Sequence, residues 1–313
     1  MNRIALAALA AAVFWACGAS AQRITDFSNV EEKVTELGHK TYWIEGAGGN
    51  TTVAVGGDGV IMVDGQFAPV HDKIKAAVAK LTDRPIKYLV DTHFHGDHTG
   101  GNEAFAKDGV TVVAHENVGK RLAEGSVNGL NGNKTPPSPN GALPAKSYKN
   151  SMTLRVKGRA AQLRHVVGAH TDGDTFVYFK DANVLSTGDT VTIGRYPNID
   201  FANGGNIKGM IAGVDAFLKI ANDDTKIVPG HGPVVGKASL VEYRAMLVGA
   251  RDRIAKLIKD GKTEQEAVAA KPFADLDKRL GANEQQSTNF VRVIYNSLKP
   301  AKPAAAATSV KKA

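Results

Sequence analysis

Three histidines and an aspartate fall within one short run, Thr92-His93-Phe94-His95-Gly96-Asp97-His98. Neutral imidazoles and carboxylates are ligands for a divalent ion such as Zn²⁺, and a site with three protein ligands keeps room for water. The apolar segment Ile86–Val90 reads as a buried strand that runs directly into this run. A loop leaving a strand end can aim alternate side chains at one point, so His93 and His95 are expected to share one ion while Asp97 and His98 turn towards a second. Gly96, Gly100 and Gly101 allow the tight backbone path that such crowding needs. A solvent-exposed histidine cluster, or a purely structural ion, fits four ligand-type residues at this spacing poorly.

Three later segments carry the same residue types. They are Ala169-His170-Thr171-Asp172-Gly173-Asp174 after a strand, Ser186-Thr187-Gly188-Asp189, and Pro229-Gly230-His231-Gly232. With the first run they resemble the metallo-β-lactamase superfamily, whose His-x-His-x-Asp-His signature is matched at every defining position of 93–98. The resemblance extends from about residue 40 to about residue 235, because the later motifs follow in order.

That resemblance implies a four-layer α/β/β/α sandwich. It implies that His93, His95 and His170 hold one ion, that Asp97, His98 and His231 hold another, and that Asp189 bridges the two. Two Zn²⁺ per chain are the expected cofactor, and iron or manganese also suits these hard ligands. Zinc brings the pKa of a bound water down to about 7, and two ions about 3.5–4 Å apart can hold a hydroxide and stabilise the oxyanion it forms on a carbonyl. Asp97 is then the catalytic carboxylate that orients the hydroxide or accepts its proton.

Ligand histidines usually give their second N–H to a carboxylate or carbonyl. Asp64, ending the strand 61–63, and Asp174 are the candidates for that supporting role, with a plain turn or cap as the alternative. Of the other histidines, His39 and His71 read as exposed, His165 as a packing residue in a strand, and His115 as a satisfied structural residue near the site. Arg195 and Tyr196 follow Asp189 closely and are either substrate-facing or ordinary loop residues.

These motifs need two groups of strands, each followed by helices. Strands are expected at 41–44, 51–55, 60–63, 86–90 and 110–114, then at 152–156, 161–167, 175–179 and 183–186. Helical spacing marks 70–81, 116–123, 207–221, 238–259, 264–270 and 283–298. Residues 125–149 are dense in Gly, Asn, Pro and Ser and show no period, which predicts a mobile rim or lid beside the ions.

The chain has 313 residues, 43% of them hydrophobic, enough for one large domain, read here as 22–298. Residues 1–21 read as a cleaved export signal: Arg3, then an apolar run, then Ala19-Ser20-Ala21. A lipoprotein signal at Cys17 is the weaker alternative, because Phe14 and Trp15 are bulky where such a signal wants Leu and a small residue. The run is too short to span a bilayer, no other stretch is apolar enough for stable membrane insertion, and the mature protein is expected in the periplasm. Cys17 is the only cysteine and leaves with the signal, so any metal site must be built from His and carboxylates. The net charge of +8 falls to +7 without Arg3 and to about +3 without Lys299, Lys302, Lys311 and Lys312 of the Ala/Pro/Lys tail 299–313, which is read as disordered. A basic groove for nucleic acid is therefore not expected, and the partner is a small-molecule substrate.

Within the family, the missing cysteine excludes the β-lactamase subclass that uses one as a ligand. The all-histidine subclass shares six of the seven residues here, whereas an aspartate at 189 is more similar to glyoxalase II and related thioesterases and lactonases. Export argues against glyoxalase II itself. The sequence reading is thus an exported hydrolase attacking a carbonyl, with a β-lactam or similar cyclic amide first. A lactone, ester or thioester comes second, and a nuclease or non-catalytic metal-binding module last.

Overall fold

A computed structural model describes residues 26–299. The leader read in 1–21, and all of the tail read in 299–313 beyond its first residue, lie outside the described residues. The first half builds a seven-stranded sheet. In it β1 (Lys33–Gly38), β2 (Thr41–Glu45), β3 (Thr51–Val55) and β4 (Val60–Val63) run antiparallel in chain order. Parallel strands need long crossovers, and helices supply them here. Helix α1 (His71–Ala79) leads to β5 (Ile86–Val90), and α2 (Gly96–Thr99) and α3 (Asn102–Lys107) lead to β6 (Thr111–His115). After α4 (Glu116–Glu124), the ribbon β7 (Ser126–Val127) and β8 (Lys134–Thr135) stands apart, and β9 (Lys146–Tyr148) closes the sheet beside β6.

The second sheet is five-stranded: β10 (Ser151–Val156), β11 (Arg159–His165), β12 (Thr175–Phe179) and β13 (Val184–Ser186) run antiparallel, and β14 (Lys226–Val228) joins parallel to β13 across α5 (Ile207–Ile220). Helices α6 (Lys237–Lys259), α7 (Glu264–Ala269), α8 (Ala274–Leu280) and α9 (Glu284–Leu298) complete the chain. Side chains alternate across a strand, and here both faces of the central strands are apolar because both are covered. Ile61, Val63 and Val90 point inward and meet Val177, Phe179, Val184 and Val228 of the other sheet. Val60, Met62 and Leu89 point outward onto Ile74, Val78 and Phe105. On the far side Phe176, Leu185 and Ile227 meet Met210, Val214, Phe217 and Leu247. The result is the α/β/β/α sandwich, with helices outside two face-to-face sheets.

Departures from the pattern have local causes. Strand β1 escapes notice because only Leu37 of its six residues is buried. Strand β14 has three residues between polar Asp224-Thr225 and Pro229, too few for a period to register. The 125–149 segment is less formless than its composition predicts: it contains the β7–β8 ribbon and gives β9 to the main sheet. Helices α7 and α9 start on full capping boxes, Thr263 with Glu266 and Asn283 with Gln286, which supply partners for otherwise orphaned N–H groups. Among the described residues, no helix is long and apolar enough to cross a membrane.

Helix α5 is wedged against the loop that carries His170. Asn206 caps it, accepting from Gly209 N at 2.9 Å and donating through Nδ2 to Gly168 O at 2.8 Å. A Cβ on Gly209 would lie 1.8 Å from that same Gly168 oxygen. Backbone cannot swing aside as a side-chain tip can, so Gly209→Ala is expected to cost at least the ~1–3 kcal/mol of an overpacked core. Thermal unfolding should show a lowered midpoint, and an unchanged midpoint would mean that the loop is free to move.

Candidate metal centre

The sheets end at one common edge, and the ligand-type residues lie there. His93 follows β5, His170 lies between β11 and β12, Asp189 follows β13, and His231 follows β14. Helix α2 carries Asp97 and His98. All seven expected ligand residues come together. His93, His95 and His170 form one group, and Asp97, His98 and His231 a second; within each group the donor atoms lie within 4.8 Å of one another. His93 also groups with His98 and Asp189.

Asp189 faces both groups. Its Oδ2 is 3.7 Å from His170 Nε2, while its Oδ1 is 3.3 Å from His98 Nε2 and 3.4 Å from His231 Nε2. His231 Nε2 is also 3.2 Å from Asp97 Oδ2, and His95 Nδ1 is 2.9 Å from His170 Nε2. Two glycines make room: a Cβ on Gly230 would lie 2.0 Å from Asp189 Oδ1, and one on Gly49 would lie 2.1 Å from His98 Cε1. His93 Nε2 is buried without a hydrogen-bond partner. A buried imidazole nitrogen left unpaired is costly, and a metal ion satisfies it, so this donor set fits divalent ions.

The atoms turned away from the centre are held. Asp64 sits at φ 62°, a left-handed position that Asp tolerates better than most residues, and is almost fully buried. It accepts from His98 Nδ1, Thr92 N and Thr92 Oγ1, each at 2.8 Å. Asp174 works differently from the expectation: its carboxylate meets no imidazole, and instead accepts from the His170 and Thr171 main-chain N–H groups at 2.6 and 2.8 Å. His170 Nδ1 donates to the Asn198 carbonyl at 2.9 Å, and His95 Nε2 to Asp200 Oδ2 at 3.0 Å. Asp200 and Asn50 are supports that the sequence reading missed. Asn50 Nδ2 donates to Pro229 O at 2.9 Å and Gly232 O at 2.8 Å, and its N–H donates to Gly230 O at 2.8 Å, so one side chain and its backbone clamp both flanks of His231. Asp200 lies in an Asn/Asp-rich stretch with no period, and only its meeting with His95, 105 positions away, sets it apart.

The electrostatics suit a cation. Burial alone would lower His98, but Asp64, Asp97 and Asp189 around it outweigh that and raise it well above an ordinary imidazole. Burial works against Asp189 too, yet the charges and hydrogen bonds of His231 and His98 hold it well below the usual carboxylate range. His170 is pushed down to about 4 by burial, which keeps it neutral and able to ligate. Burial pushes Asp174 up to about 7 despite the hydrogen bonds it accepts.

The remaining histidines divide. His39 is exposed. His71 is not: its side chain is only 12% exposed, packs edge-on against Phe105 at 4.5 Å and lies between Asp72 and Asp108. His115 and His165 stack at 3.8 Å, and His115 is satisfied by Asn117 N and Lys149 O. Tyr196 is a packing residue, stacked on Phe290 and donating to Asp277 at 2.6 Å. Arg195 is exposed.

The sequence pattern of the metallo-β-lactamase superfamily matches residues 44–232. The chain belongs to that superfamily. A linear primary-alkylsulfatase from Pseudomonas sp. is 27% identical over 234 residues, covering 63% of this chain and 44% of that protein. A hydroxyacylglutathione hydrolase from Polaromonas sp. is 27% identical over 169 residues, covering 52% and 55%. The chain thus spans about half the length of the curated relatives it matches. Among solved structures, a sec-alkylsulfatase from Pseudomonas sp. superposes with a TM-score of 0.61 at 20% identity, covering 84% of this chain and 50% of that one. A metallo-β-lactamase from Pontibacter korlensis gives 0.57 at 20% identity, covering 69% and 99%. These two likenesses carry the fold. Within the matched stretch, the His and Asp groups come together as a set that could hold metal ions.

The clamp on His231 yields a prediction. Asn50→Ala leaves two buried carbonyls without their donor, at about 1–3 kcal/mol each before relaxation. The His231 loop should then loosen, and metal analysis of the variant should show depletion of about one ion per chain with the fold retained. Full metal content would show that Asn50 is dispensable to His231.

Proposed function

We propose that this superfamily member uses a two-ion centre to hydrolyse an ester-type carbonyl of a small substrate without a strong negative charge. The observation that carries it is the split of Asp189, one oxygen towards His170 and the other towards His98 and His231. A carboxylate so placed can hold two cations at fixed separation. His93, His95 and His170 would hold one divalent ion and Asp97, His98 and His231 another, zinc by the donor set with iron or manganese also suited, and such ions would supply Lewis-acid polarisation and acidify a water. Asp97 has a side chain 28% exposed on the open side of the centre, where its carboxylate can orient the attacking water and take up its proton.

The substrate reading rests on the cavity beside His95. Its volume is about 110 Å³, and its charged or titratable lining groups are His95 and Asp200. No Lys or Arg lines the cavity, so nothing there pairs with the carboxylate of a β-lactam, which moves the ester or lactone ahead of it. The named relatives fit the ester part of this reading only, since an alkyl sulfate is a sulfate ester and hydroxyacylglutathione a thioester rather than an amide, while both are anionic. Cyclic-amide cleavage stays as the second reading because six of the seven residues match the all-histidine β-lactamase set. Export to the periplasm belongs to the same proposal and rests on residues 1–21. Mass spectrometry of the protein from its native host should find Gln22 at the N-terminus, and a lipid-modified Cys17 would move it to a membrane surface.

Metal-loaded protein should cleave p-nitrophenyl esters or lactones faster than β-lactams, alkyl sulfates or phosphodiesters, and chelation should abolish the activity. Turnover of β-lactams alone would reverse the order of the two readings. Asp189→Asn keeps the shape but offers one neutral oxygen, so metal occupancy should fall and activity drop by orders of magnitude while the fold survives. Two tightly bound ions with near-normal turnover in that variant would show Asp189 to be a bystander.

A further inference from the structure

Two of the three histidines expected to hold one ion are aimed by a single turn, residues 198–203. The Asn198 carbonyl accepts from His170 Nδ1 at 2.9 Å, and Asp200 Oδ2 accepts from His95 Nε2 at 3.0 Å. The turn thereby directs His95 Nδ1 and His170 Nε2 inward, where they lie 2.9 Å apart. It also sits on the loop that carries His170. Asp200 N donates to His170 O at 2.8 Å, and Asp172 N donates to Asn203 O at 3.0 Å. His98 and His231 lean on other supports, Asp64 and Asn50.

Arg121, in the last turn of α4, fastens this turn from outside. Its guanidinium forks onto Asp172, Nε to Oδ1 at 3.3 Å and Nη2 to Oδ2 at 2.7 Å. Its Nη1 donates to Asn203 Oδ1 at 3.2 Å. A guanidinium has donors only, so the Asn203 amide must turn its oxygen to Arg121. Asn203 Nδ2 is then left to donate, to Asp200 Oδ2 at 2.8 Å and to Val127 O at 3.0 Å. Asn203 is buried, so bulk water does not supply a partner in place of a lost one. The contacts run from Arg121 to Asn203, to Asp200, to His95, and each fixes the direction of the next. The Arg121–Asp172 pair is itself partly exposed, where an ion pair adds little to stability. Its geometry carries more consequence than its energy.

We propose that Arg121 is a positioning residue for the ion expected at His93, His95 and His170, acting on His95 through Asn203 and Asp200. The inference rests on the two-ion reading above and not on the identity of the substrate. Without Arg121, the Asn203 amide loses the partner that orients it, and its oxygen can turn towards Asp200. Asp200 then lacks a donor and can swing away from His95, while the tie between the turn and Asp172 opens. Each ion thus has its own outer clamp, Arg121 with Asp200 for one and Asn50 with Asp64 for the other.

The test reads zinc affinity by chelator competition in two one-ion backgrounds of the full chain. His231→Ala leaves the set His93, His95 and His170 complete, and His170→Ala leaves Asp97, His98 and His231. Arg121→Met keeps the side chain's length and removes every donor. It should weaken zinc by ~10–100-fold in the first background, the usual effect of losing a ligand's outer partner, and by less than about twofold in the second. In the otherwise unchanged chain it should weaken one of the two zinc ions and spare the other. Asn203→Ala leaves the Arg121–Asp172 pair in place and carries the same test if Arg121→Met fails to fold. The double variant should be no worse than either single one, because both break one chain of contacts. Equal weakening in both backgrounds, or a lowered melting midpoint with both zinc affinities unchanged, would overturn the proposal and leave Arg121 a staple between α4 and its neighbours. A wild-type chain that binds no zinc would sink the two-ion centre itself. If zinc binds in the expected Arg121-dependent way but no ester is cleaved, the Arg121 assignment stands and the ester reading falls.

Discussion

The hydrogen bond between Asp64 and His98 is the contact on which the site depends. Both side chains are fully or almost fully buried, and they meet at 2.8 Å. A buried carboxylate is tolerated only when it is paired and its lone pairs are satisfied. Asp64 meets that condition by also accepting from the Thr92 N–H and hydroxyl, which fastens the end of β4 to the loop leaving β5. His98 is thereby committed to present Nε2 towards Asp97, Asp189 and His231. The left-handed backbone at Asp64 turns the carboxylate out of the strand and into that position.

The same logic repeats around the centre. Each imidazole has one nitrogen turned inward, and the opposite nitrogen of His93, His95, His98 and His170 is engaged by Thr92, Asp200, Asp64 and the Asn198 carbonyl respectively. Ring tautomer and aim are fixed by those outer partners. Crowding several acceptors and imidazoles into a desolvated pocket is electrostatically unfavourable by itself. It becomes favourable when cations share the space, so the centre couples metal binding to stability. The sandwich makes the crowding possible, because two sheets packed through Val63, Val90, Val177 and Val228 must end at the same edge.

The C-terminal helices extend this arrangement outward. Helix α9 packs through Phe290, Val291 and Ile294 into the cluster behind the second sheet, and presents Val293 to the cavity. Its Arg292 holds the ribbon that forms the opposite wall. A rigid core element therefore borders the cavity beside His95, and it does so from a part of the chain that lacks the ligand motifs.

The sequence by itself determined the ligand types, their grouping into four motifs, and most central strands. Histidines at one-residue spacing after an apolar strand, and two-sided apolar runs such as Val60–Val63, are local signals that survive without coordinates. What it could not carry were relations between distant residues. Asp200 supports His95 from 105 positions away, and Asn50 clamps the His231 loop from 179 and 182 positions away, and nothing in either local pattern records the meeting. His71 looked solvent-facing by its polar neighbours, but α1 folds it onto Phe105. Asp174 had the right residue type, yet chain geometry turned it to the main chain of His170. The 125–149 segment read as formless because its order comes from Asn203, Arg292 and the edge of β6. Residue chemistry and spacing are written along the chain, whereas close approach between distant segments exists only once two sheets and their covering helices have packed.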